Sequence, residues 1–322
     1  MTDSYLENRP LLSVLLVTYN HEAFIRRALD GALMQKTGFP FEIVIGEDAS
    51  TDNTRAICEE YNRKYPDQIH LVTSAENIGL NQNFIRTFKA CRGKYIAYLE
   101  GDDWWITDDK LRKQVEILET QPDVVLVHTN CKLLDIESGH LQDHFIRFDG
   151  VCIREEKSGI DGVIAEFEGC FRPIKTSTVC YRREIMADIL AADEYLFSNP
   201  DFPTQDFQLF QEMCLRGRFV FIDEDTTVIG FHDSISAAKD KIKQVKFRFG
   251  FFLIGLYLID KYKLPRYTID TWIRKELYFF FKDAFERKDR TYILKALSES
   301  AKRGYHLPFR QWVKAQVVKY VI

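Results

Sequence analysis

The first 130 residues alternate short apolar runs with segments of helical periodicity, and this alternation restricts the possible folds more than any other feature. The run Leu11 to Thr18 is continuous and aliphatic, as expected for a strand buried on both faces. After it, apolar residues from Phe24 to Leu33 recur at three- and four-residue steps. Strands and helices that alternate at this spacing predict an α/β fold, with right-handed crossovers and a mostly parallel sheet flanked by helices.

The other predicted elements follow from the same two periodicities. We predict strands at 41–45, 69–72, 95–99, 124–129, 176–182 and 219–222, and helices at 52–65, 82–90, 110–119 and 207–216. Between Lys132 and Phe171 glycines alternate with charged residues, so we predict loops and short strands there. After Asp240 the pattern changes to long helices, predicted at 241–261, 268–286, 290–303 and 309–320.

Charge divides the chain at about the same point. Residues 1–238 carry 24 Lys and Arg against 40 Asp and Glu, whereas residues 239–322 carry 20 against 8. We therefore predict an α/β domain over 1–238 and a basic helical region over 239–322.

The basic region has two interpretations. Its first helix carries an apolar stripe at helical spacing, formed by Ile242, Val245, Phe249, Phe252 and Leu256. Such a stripe is more typical of packing within the molecule, so we prefer docking of these helices on the acidic body. The alternative is contact with an anionic membrane surface, where each Lys or Arg contributes about 1 kcal/mol.

Cysteine use and hydropathy indicate the compartment. The seven cysteines are odd in number and include no C-x-x-C pair, which argues against a disulfide framework and a zinc cluster. The first ten residues are polar and acidic, unlike a secretory signal. The longest nearly apolar run, Phe249 to Ile259, is shorter than the roughly 18 to 20 residues that cross a bilayer. We therefore expect a cytoplasmic protein, with peripheral contact at the inner membrane face as the alternative.

Acidic residues follow two of the predicted strands, at the end where open α/β sheets bind their ligands. In the segment Gly46 to Asp52, Asp48 is suited to accept from a nucleotide base or a ribose, and helix capping is the alternative. In the segment Glu100 to Trp105, Asp102 and Asp103 are adjacent, and a bound cation would keep both ionised. A few hard oxygen ligands suit Mg²⁺ or Mn²⁺ bridging to a diphosphate, and a solvated acidic turn is the alternative.

A third acidic group, Asp206, begins the predicted helix 207–216, and His232 follows the strand 219–222. Taken singly, a helix-terminal Asp is usually a cap and a lone His is usually structural. The sequence contains no G-x-G-x-x-G, G-x-x-x-x-G-K-[ST], H-E-x-x-H or G-x-S-x-G motif. Any phosphate chemistry is therefore expected to use a metal and carboxylates.

Five segments, in this order, resemble family 2 glycosyltransferases with the GT-A fold. They are Ser13 to Asn20 (SVLLVTYN), Glu47 to Thr54 (EDASTDNT), Glu76 to Gly79 (ENIG), Gly93 to Ala97 (GKYIA) and Glu100 to Asp103 (EGDD). The resemblance spans roughly Leu12 to Ser236. It implies a GT-A-like nucleotide-diphospho-sugar transferase fold, to which the helices after Asp240 form a C-terminal appendage.

The resemblance also implies which residues bind the donor. Thr18, Asp48 and Asn77 would line the nucleotide pocket, with Asp48 facing the base. Asn20 belongs to the same donor-binding set, and Asp102 would approach the ribose.

The same resemblance implies the metal site and the base. Asp103 would hold Mn²⁺ or Mg²⁺ on the donor diphosphate, Asp206 matches the position of the catalytic base, and His232 matches a residue near the metal or phosphate. Two positions depart from the family pattern. Gln205 stands where the family often has an acid, and Gln82 stands where it often has Arg.

The implied reaction is inverting, metal-dependent transfer of one sugar from a nucleotide-diphosphate sugar, UDP-linked, to a hydroxyl of a glycan or lipid-linked acceptor in surface glycan or polysaccharide synthesis. The Gln-x-x-Arg-Trp motif of processive synthases is absent, which favours one transfer per encounter. No nucleic-acid partner is expected, and the oligomeric state is left open.

Two other functions compete with sugar transfer. A nucleotidyltransferase would normally have a Gly-rich, basic loop where this chain has Tyr19 to Glu22. A non-catalytic sugar-nucleotide-binding protein would need the same pocket without a working base.

Overall fold

A computed structural model describes residues 9–146, 158–168, 174–231 and 240–320. Its strands are β1 (Leu12–Thr18), β2 (Phe41–Glu47), β3 (Ile69–Thr73), β4 (Tyr95–Glu100), β5 (Trp104–Trp105), β6 (Val124–Asp135), β7 (Leu141–Gln142), β8 (Cys180–Arg182) and β9 (Arg218–Phe231). Its helices are α1 (Ile25–Leu33), α2 (Thr54–Lys64), α3 (Leu80–Ala90), α4 (Lys110–Thr120), α5 (Gly159–Phe167), α6 (Arg183–Ala192), α7 (Tyr195–Ser198), α8 (Asp206–Cys214), α9 (Lys241–Tyr262), α10 (Arg266–Arg287), α11 (Thr291–Lys302) and α12 (Phe309–Tyr320). A single 3₁₀ turn, Thr176–Thr178, precedes β8.

The strands in the described ranges form one sheet in the order β3-β2-β1-β4-β8-β6-β9-β5, and β7 pairs with β6. The half made of β3, β2, β1 and β4 is parallel, as the alternating pattern predicted. The short strand β8 then runs antiparallel to both β4 and β6. The sheet is therefore mixed, and the prediction of an α/β fold with a largely parallel sheet flanked by helices is confirmed.

The core of this sheet consists of the aliphatic residues that marked the strands in the sequence. Val14, Leu16, Ile43 and Ile45 are fully buried, and α1 buries Leu29 against the same cluster. Removing a side chain of this kind typically costs about 2 to 5 kcal/mol. The parallel half of the sheet thus gives a rigid base to the loops that leave its carboxyl edge.

Three local predictions were wrong. Residues 159–167, predicted as loop, form the helix α5. The predicted strand 176–182 is a strand only from Cys180, because its first residues make the 3₁₀ turn. The predicted strand 219–222 is too short, because β9 continues through the acidic residues 223–225. There, Asp223 accepts from the Asn130 side chain (2.8 Å) on the paired strand β6.

The described residues fall into two compact units. The first comprises described residues within Met1–Gly162, Phe171–Ser198 and Thr204–His232, and contains the sheet. The second comprises described residues within Val163–Cys170, Asn199–Pro203 and Asp233–Ile322, and contains α9 to α12. The predicted domain boundary at residue 238 and the docking of the basic helices on the acidic body stay predictions.

In the second unit α9 and α10 approach closely. A Cβ atom on Gly255 would lie 2.6 Å from the ring of Trp272, so only glycine permits this approach. Of the apolar stripe on α9, Val245, Phe252 and Leu256 are buried and Phe249 packs on other rings, whereas Ile242 is 62% exposed. The stripe is therefore mainly packing within the molecule.

An ion pair between a partly exposed arginine and a buried glutamate joins the same two helices. Arg248 donates through Nε and Nη2 to the two carboxylate oxygens of Glu276, at 2.7 and 2.9 Å. Burial raises the pKa of Glu276, and the charge of Arg248 opposes that rise. Removing Arg248 from this pair would be costly, because the Glu276 carboxylate would stay buried without its partner.

No helix within the described ranges is long and apolar enough to cross a membrane. The cysteines in those ranges, Cys58, Cys91, Cys131, Cys180 and Cys214, are buried and form no disulfide.

Candidate active site

Three neighbouring parallel strands end at the same height and so bring their following loops together. Thr18 of β1 pairs with Glu47 of β2, and Val17 pairs with Glu100 of β4. Adjacent strands lie about 4.8 Å apart, so the loops after β2 and β4 are separated by roughly 10 Å. The acidic groups recognised in the sequence after β2 and β4 therefore lie at one edge of the sheet.

The loop after β1 is tied to the loop after β2. Asn20 donates from its backbone N–H to Ser50 Oγ (3.0 Å) and accepts from the N–H of Thr51 (2.8 Å). Glu22 accepts from both the N–H and the side-chain amide of Asn53. Asn20 also has a φ of 56°, a left-handed conformation that Asn tolerates better than most residues. Asn20 thus holds two loops together, and its assignment to the donor stays a prediction.

Asp48 is almost completely buried and anchors a third loop. Its carboxylate accepts from the backbone N–H groups of Ile78 and Gly79, both at 2.9 Å, and from Ser74 Oγ at 3.2 Å. Asn77 in turn donates from its side chain to the Asp48 carbonyl (3.2 Å). Asp48 and Asn77 are therefore brought together, as predicted for members of one pocket. The carboxylate of Asp48 shapes the loop, and contact with a base would come in addition to these bonds.

Thr18 is buried at the end of β1, next to the turn that follows β4. A Cβ atom on Gly101 would lie 2.5 Å from the Thr18 hydroxyl oxygen, so glycine is required at this contact. Thr18 also accepts from the Asp48 N–H through its carbonyl (3.1 Å). The close approach of Gly101 to Thr18 places the acidic turn directly against β1.

The acidic turn brings three carboxylates together. Oxygens of Glu100, Asp102 and Asp103 all lie within 4.8 Å of one another. Asp103 is buried, whereas Glu100 and Asp102 are partly exposed. The predicted pair Asp102 and Asp103 is thus part of a triad, and Glu100 is a member that the sequence interpretation did not assign. Its place at the end of the apolar run 95–99, two residues before Asp102, was the signal available in the sequence.

Hydroxyl and backbone donors hold two members of the triad. Asp103 accepts from Ser177 Oγ (2.6 Å) and from the Gly230 N–H (3.1 Å). Glu100 accepts from Thr176 Oγ1 (2.9 Å). Thr176 and Ser177 belong to the 3₁₀ turn, which is why their side chains reach the acidic turn instead of alternating across a strand.

The crowding of these carboxylates affects their ionisation. Burial, together with the charge of Asp102, raises the pKa of Glu100 to about 8, and the carboxylate of Asp206 adds to the rise. Burial, then the charges of Asp102 and Glu100, holds the pKa of Asp103 well above its usual range. Three carboxylates so close together are not readily ionised at the same time without a cation.

Asp206, the predicted base, begins α8, and its negative charge contributes to the raised pKa of Glu100 in this triad. Its Oδ1 accepts from Thr204 Oγ1 (2.6 Å) and from the Phe207 N–H (2.7 Å). Its neighbour Gln205 is buried and donates from Nε2 to the Tyr98 hydroxyl on β4 (2.6 Å). The glutamine that departs from the family pattern therefore attaches the start of α8 to the sheet, which leaves Asp206 as the one acid at this position.

Two histidines relate to the site differently. His232 lies outside the described residues, so its predicted place near the metal stays a prediction. His21, which the sequence interpretation did not single out, brings Nε2 to 3.8 Å from Asp102 Oδ2.

The donor set fits a divalent cation. Carboxylate oxygens are the ligands that Mg²⁺ and Mn²⁺ prefer, and a cation would offset the repulsion that raises the pKa values of Glu100 and Asp103. The hydroxyls of Thr176 and Ser177 orient two of the ligands, as outer contacts do in metal sites.

Comparison with known proteins agrees with this geometry. The model of the family described as "Glycosyl transferase family 2" matches residues 13–179, about half of the chain. An uncharacterized protein of Mycobacterium tuberculosis is 35% identical over 190 residues, which cover 58% of this chain and 52% of that protein. A putative teichuronic acid biosynthesis glycosyltransferase of Bacillus subtilis, TuaG, is 36% identical over 110 residues, 34% of this chain and 42% of TuaG. The chain thus spans about half the length or less of these curated relatives.

A solved structure of similar fold is TarS of S. aureus in complex with UDP. It has a TM-score of 0.50 at 17% identity, with 92% of this chain and 93% of that chain covered. A mannosyltransferase of Pyrobaculum calidifontis in complex with GDP-Man and Mn²⁺ has a TM-score of 0.51 at 16% identity, with 98% and 81% covered. At these identities the likeness concerns the fold. Taken with the family match over residues 13–179, it leads to one conclusion: the chain belongs to glycosyl transferase family 2.

Proposed function

We propose that this protein transfers a single sugar from a UDP-sugar to an acceptor hydroxyl, with inversion at the anomeric carbon and with the help of a divalent metal. The observation that carries the proposal is the triad of Glu100, Asp102 and Asp103, which lies on the carboxyl edge of the sheet within electrostatic reach of Asp206. A cation site and a separate carboxylate base in one place are what glycosyl transfer from a nucleotide diphosphate requires.

On the donor side, the nucleotide would lie along the loops after β1 and β2. Thr18, Asp48 and Asn77 are joined by hydrogen bonds and give this region a fixed shape. Asp102 is partly exposed beside them, as contact with a ribose requires. Asn20 would act by keeping the two loops in register.

Asp103 and its two neighbouring carboxylates would hold the metal, with His232 as a further candidate ligand. When bound, Mn²⁺ or Mg²⁺ supplies positive charge that offsets the negative charge developing on the departing diphosphate. Ser177 and Thr176 keep Asp103 and Glu100 oriented for this role.

Asp206 would act as the base. Among the described residues, both of its donors bind Oδ1, which leaves Oδ2 to accept the proton of the acceptor hydroxyl. As the acceptor oxygen forms its bond to the anomeric carbon, the bond from that carbon to the diphosphate breaks, UDP leaves and the proton remains on Asp206. Attack from the face opposite the diphosphate gives inversion.

The relatives support the substrate classes. TuaG is named for teichuronic acid biosynthesis, and the two structural neighbours contain UDP or GDP-Man, one of them with Mn²⁺. We therefore propose a glycan or lipid-linked acceptor in surface polysaccharide synthesis. The absence of the Gln-x-x-Arg-Trp motif supports one transfer per encounter.

The test is release of UDP from a panel of UDP-sugars and GDP-Man, with Mn²⁺ and with EDTA. Asp206→Asn should lower turnover by about 10² to 10⁴-fold while Mn²⁺-dependent UDP binding is kept. Asp123→Asn is a matched control, because Asp123 is exposed, pairs with Arg218 and precedes β6 at the opposite edge of the sheet. Near-normal turnover of Asp206→Asn would reject Asp206 as the base.

The same assay separates the competing functions. A nucleotidyltransferase would release pyrophosphate from UTP and a sugar 1-phosphate, without releasing UDP from a UDP-sugar. A non-catalytic binding protein would bind the nucleotide sugar and turn over neither substrate pair.

A further inference from the structure

We propose that the outer face of α10 binds the interface of an anionic lipid bilayer. This face comprises the exposed residues Tyr267, Thr271, Arg274, Lys275, Tyr278, Phe279, Lys282, Phe285 and Glu286. The proposal goes beyond sugar transfer and does not depend on it, since it concerns a helix of the second unit only.

Aromatic side chains on this face are exposed where a helix in water would normally carry polar residues. Tyr267 and Tyr278 are 60% and 58% exposed, and Phe279 and Phe285 are 41% and 42% exposed. From Tyr267 to Phe285 the face extends over about 27 Å of helix. The opposite side of α10 is buried and includes Trp272, so the exposed rings are not needed for packing of the unit.

Cations alternate with these rings. Arg274, Lys275 and Lys282 lie on the same face, and Lys314 of α12 brings Nζ to 5.9 Å from the centre of the Tyr278 ring. Arg248 of α9 lies over Phe279 at 3.9 Å, but its charge is matched by Glu276. The most exposed acid of α10, Glu286, is 3.8 Å from Lys282. On the exposed face itself three cations, Arg274, Lys275 and Lys282, stand against the single acid Glu286, so the surface around the rings carries a net positive charge.

This combination favours a lipid surface over other partners. The interior of a protein–protein interface is depleted in Lys, whereas here lysines stand among the rings. A soluble anionic polymer would attract the cations but would offer no apolar phase to Phe279 and Phe285. An anionic bilayer supplies both, since aromatic rings lie at the headgroup level and each nearby Lys or Arg gains affinity from the negative surface.

The test is flotation of the full 322-residue chain, without nucleotide, with phosphatidylcholine vesicles that contain or lack 30 mol% phosphatidylglycerol. We expect binding to the anionic vesicles, weakened by 0.5 M NaCl. Lys275→Gln with Lys282→Gln should weaken it roughly 30-fold, about fivefold for each cation. Tyr278→Ser with Phe285→Ser should weaken it roughly tenfold or more.

Two matched controls test whether a loss of binding is specific to this face, and not a general result of removing lysines or an exposed ring. Lys241→Gln with Lys243→Gln removes two exposed lysines of α9, and Tyr195→Ser removes a tyrosine that is 55% exposed in the first unit. Both controls should bind within about twofold of the wild type, and unchanged thermal unfolding should accompany every variant.

Three results would overturn the proposal. The first is absence of binding to the anionic vesicles, and the second is equal loss in the α9 control. The third is a dimer, seen by sedimentation velocity, that the Tyr278 and Phe285 variant dissociates, because that would assign the face to a second copy of the chain.

Discussion

Asp48 and Asp103 are both buried aspartates at the carboxyl edge of the same sheet, but their surroundings are opposite in kind. Asp48 accepts from two backbone N–H groups and a serine hydroxyl, so its negative charge is matched by donors. Asp103 has two donors but is crowded by Glu100 and Asp102, and its pKa is raised. The first is equipped to stabilise a loop, whereas the second is equipped to receive a cation. Sequence motifs alone do not separate these two roles.

The largest expected effect is the loss of catalytic activity when Asp103 is replaced. Asp103→Asn removes one charge from the triad, so Mn²⁺-dependent turnover of the UDP-sugar should fall by about 10² to 10³-fold, with UDP binding no longer dependent on Mn²⁺. Calorimetric titration of UDP with Mn²⁺ and with EDTA would measure it. Retained Mn²⁺ dependence would mean that Glu100 and Asp102 suffice to bind the metal.

For stability the order of the two aspartates should be reversed. The change from Asp to Asn should destabilise the fold more at position 48 than at position 103. In Asp48→Asn, the new amide N–H₂ would face either the Ile78 or the Gly79 N–H, a donor against a donor, which should cost about 2 kcal/mol of unfolding free energy. In Asp103→Asn, the amide oxygen can still accept from Gly230, and Ser177 Oγ can accept from the amide nitrogen.

Without metal, Asp103→Asn should therefore lie within ~1 kcal/mol of the wild type. Urea unfolding in EDTA provides the measurement for both variants. A greater loss for Asp103→Asn than for Asp48→Asn would reverse the contrast between the two aspartates.

Lys110 is a buried titratable group whose charged form is positive, in contrast to the two aspartates. It is fully buried, donates to Gln114 Oε1 (2.7 Å) and lies over the Trp105 ring, and burial lowers its pKa from 10.5 to about 7. Between these two pH values the unfolded chain binds a proton that the folded chain does not. Wild-type stability should therefore rise relative to Lys110→Met as pH increases from 7 to 9, by at most about 1.4 kcal/mol per unit.

Urea unfolding of both proteins at pH 7 and pH 9 would test this difference, since other titrating groups contribute equally to each. Parallel changes in the two proteins would show that Lys110 keeps its proton when buried.

The smallest effect concerns the hydroxyl that supports Glu100. The bond from Thr176 lowers the pKa of Glu100 and so favours its charged form. Thr176→Val should therefore weaken Mn²⁺ binding in the presence of UDP about threefold to tenfold, without loss of the fold. Thr73→Val, at an exposed threonine of β3, is the control. Equal Mn²⁺ affinity in both variants would indicate that Glu100 does not contact the metal.

Much of the fold could be predicted because its strands are continuous apolar runs. The run that became β1 needed no tertiary information, and the long helices after Asp240 begin and end within two residues of their predicted bounds. The second half of the sheet was harder. β9 carries the acids 223–225, of which Asp223 accepts from Asn130 on β6, and pairing between distant polar segments leaves no local signal.

The candidate site shows the same division. Asp102 and Asp103 could be located because two adjacent acids at a strand end need an explanation. The hydroxyl groups that donate to the triad could not be located from the sequence. Ser177 lies 74 positions from Asp103, and a run of Thr and Ser is compatible with many local structures. Likewise, the bond between Gln205 and Tyr98 joins residues 107 positions apart.

The hydrogen bonds that join Asn20 and Glu22 to the segment 50–53 have a practical consequence for protein engineering. An exchange of one loop from a homologue would bring in side chains whose partners remain behind on the other. Attempts to alter the preferred nucleotide should therefore transplant residues 19–22 and 48–54 as a matched pair. Libraries that randomise either stretch alone will mostly contain variants that have lost these hydrogen bonds.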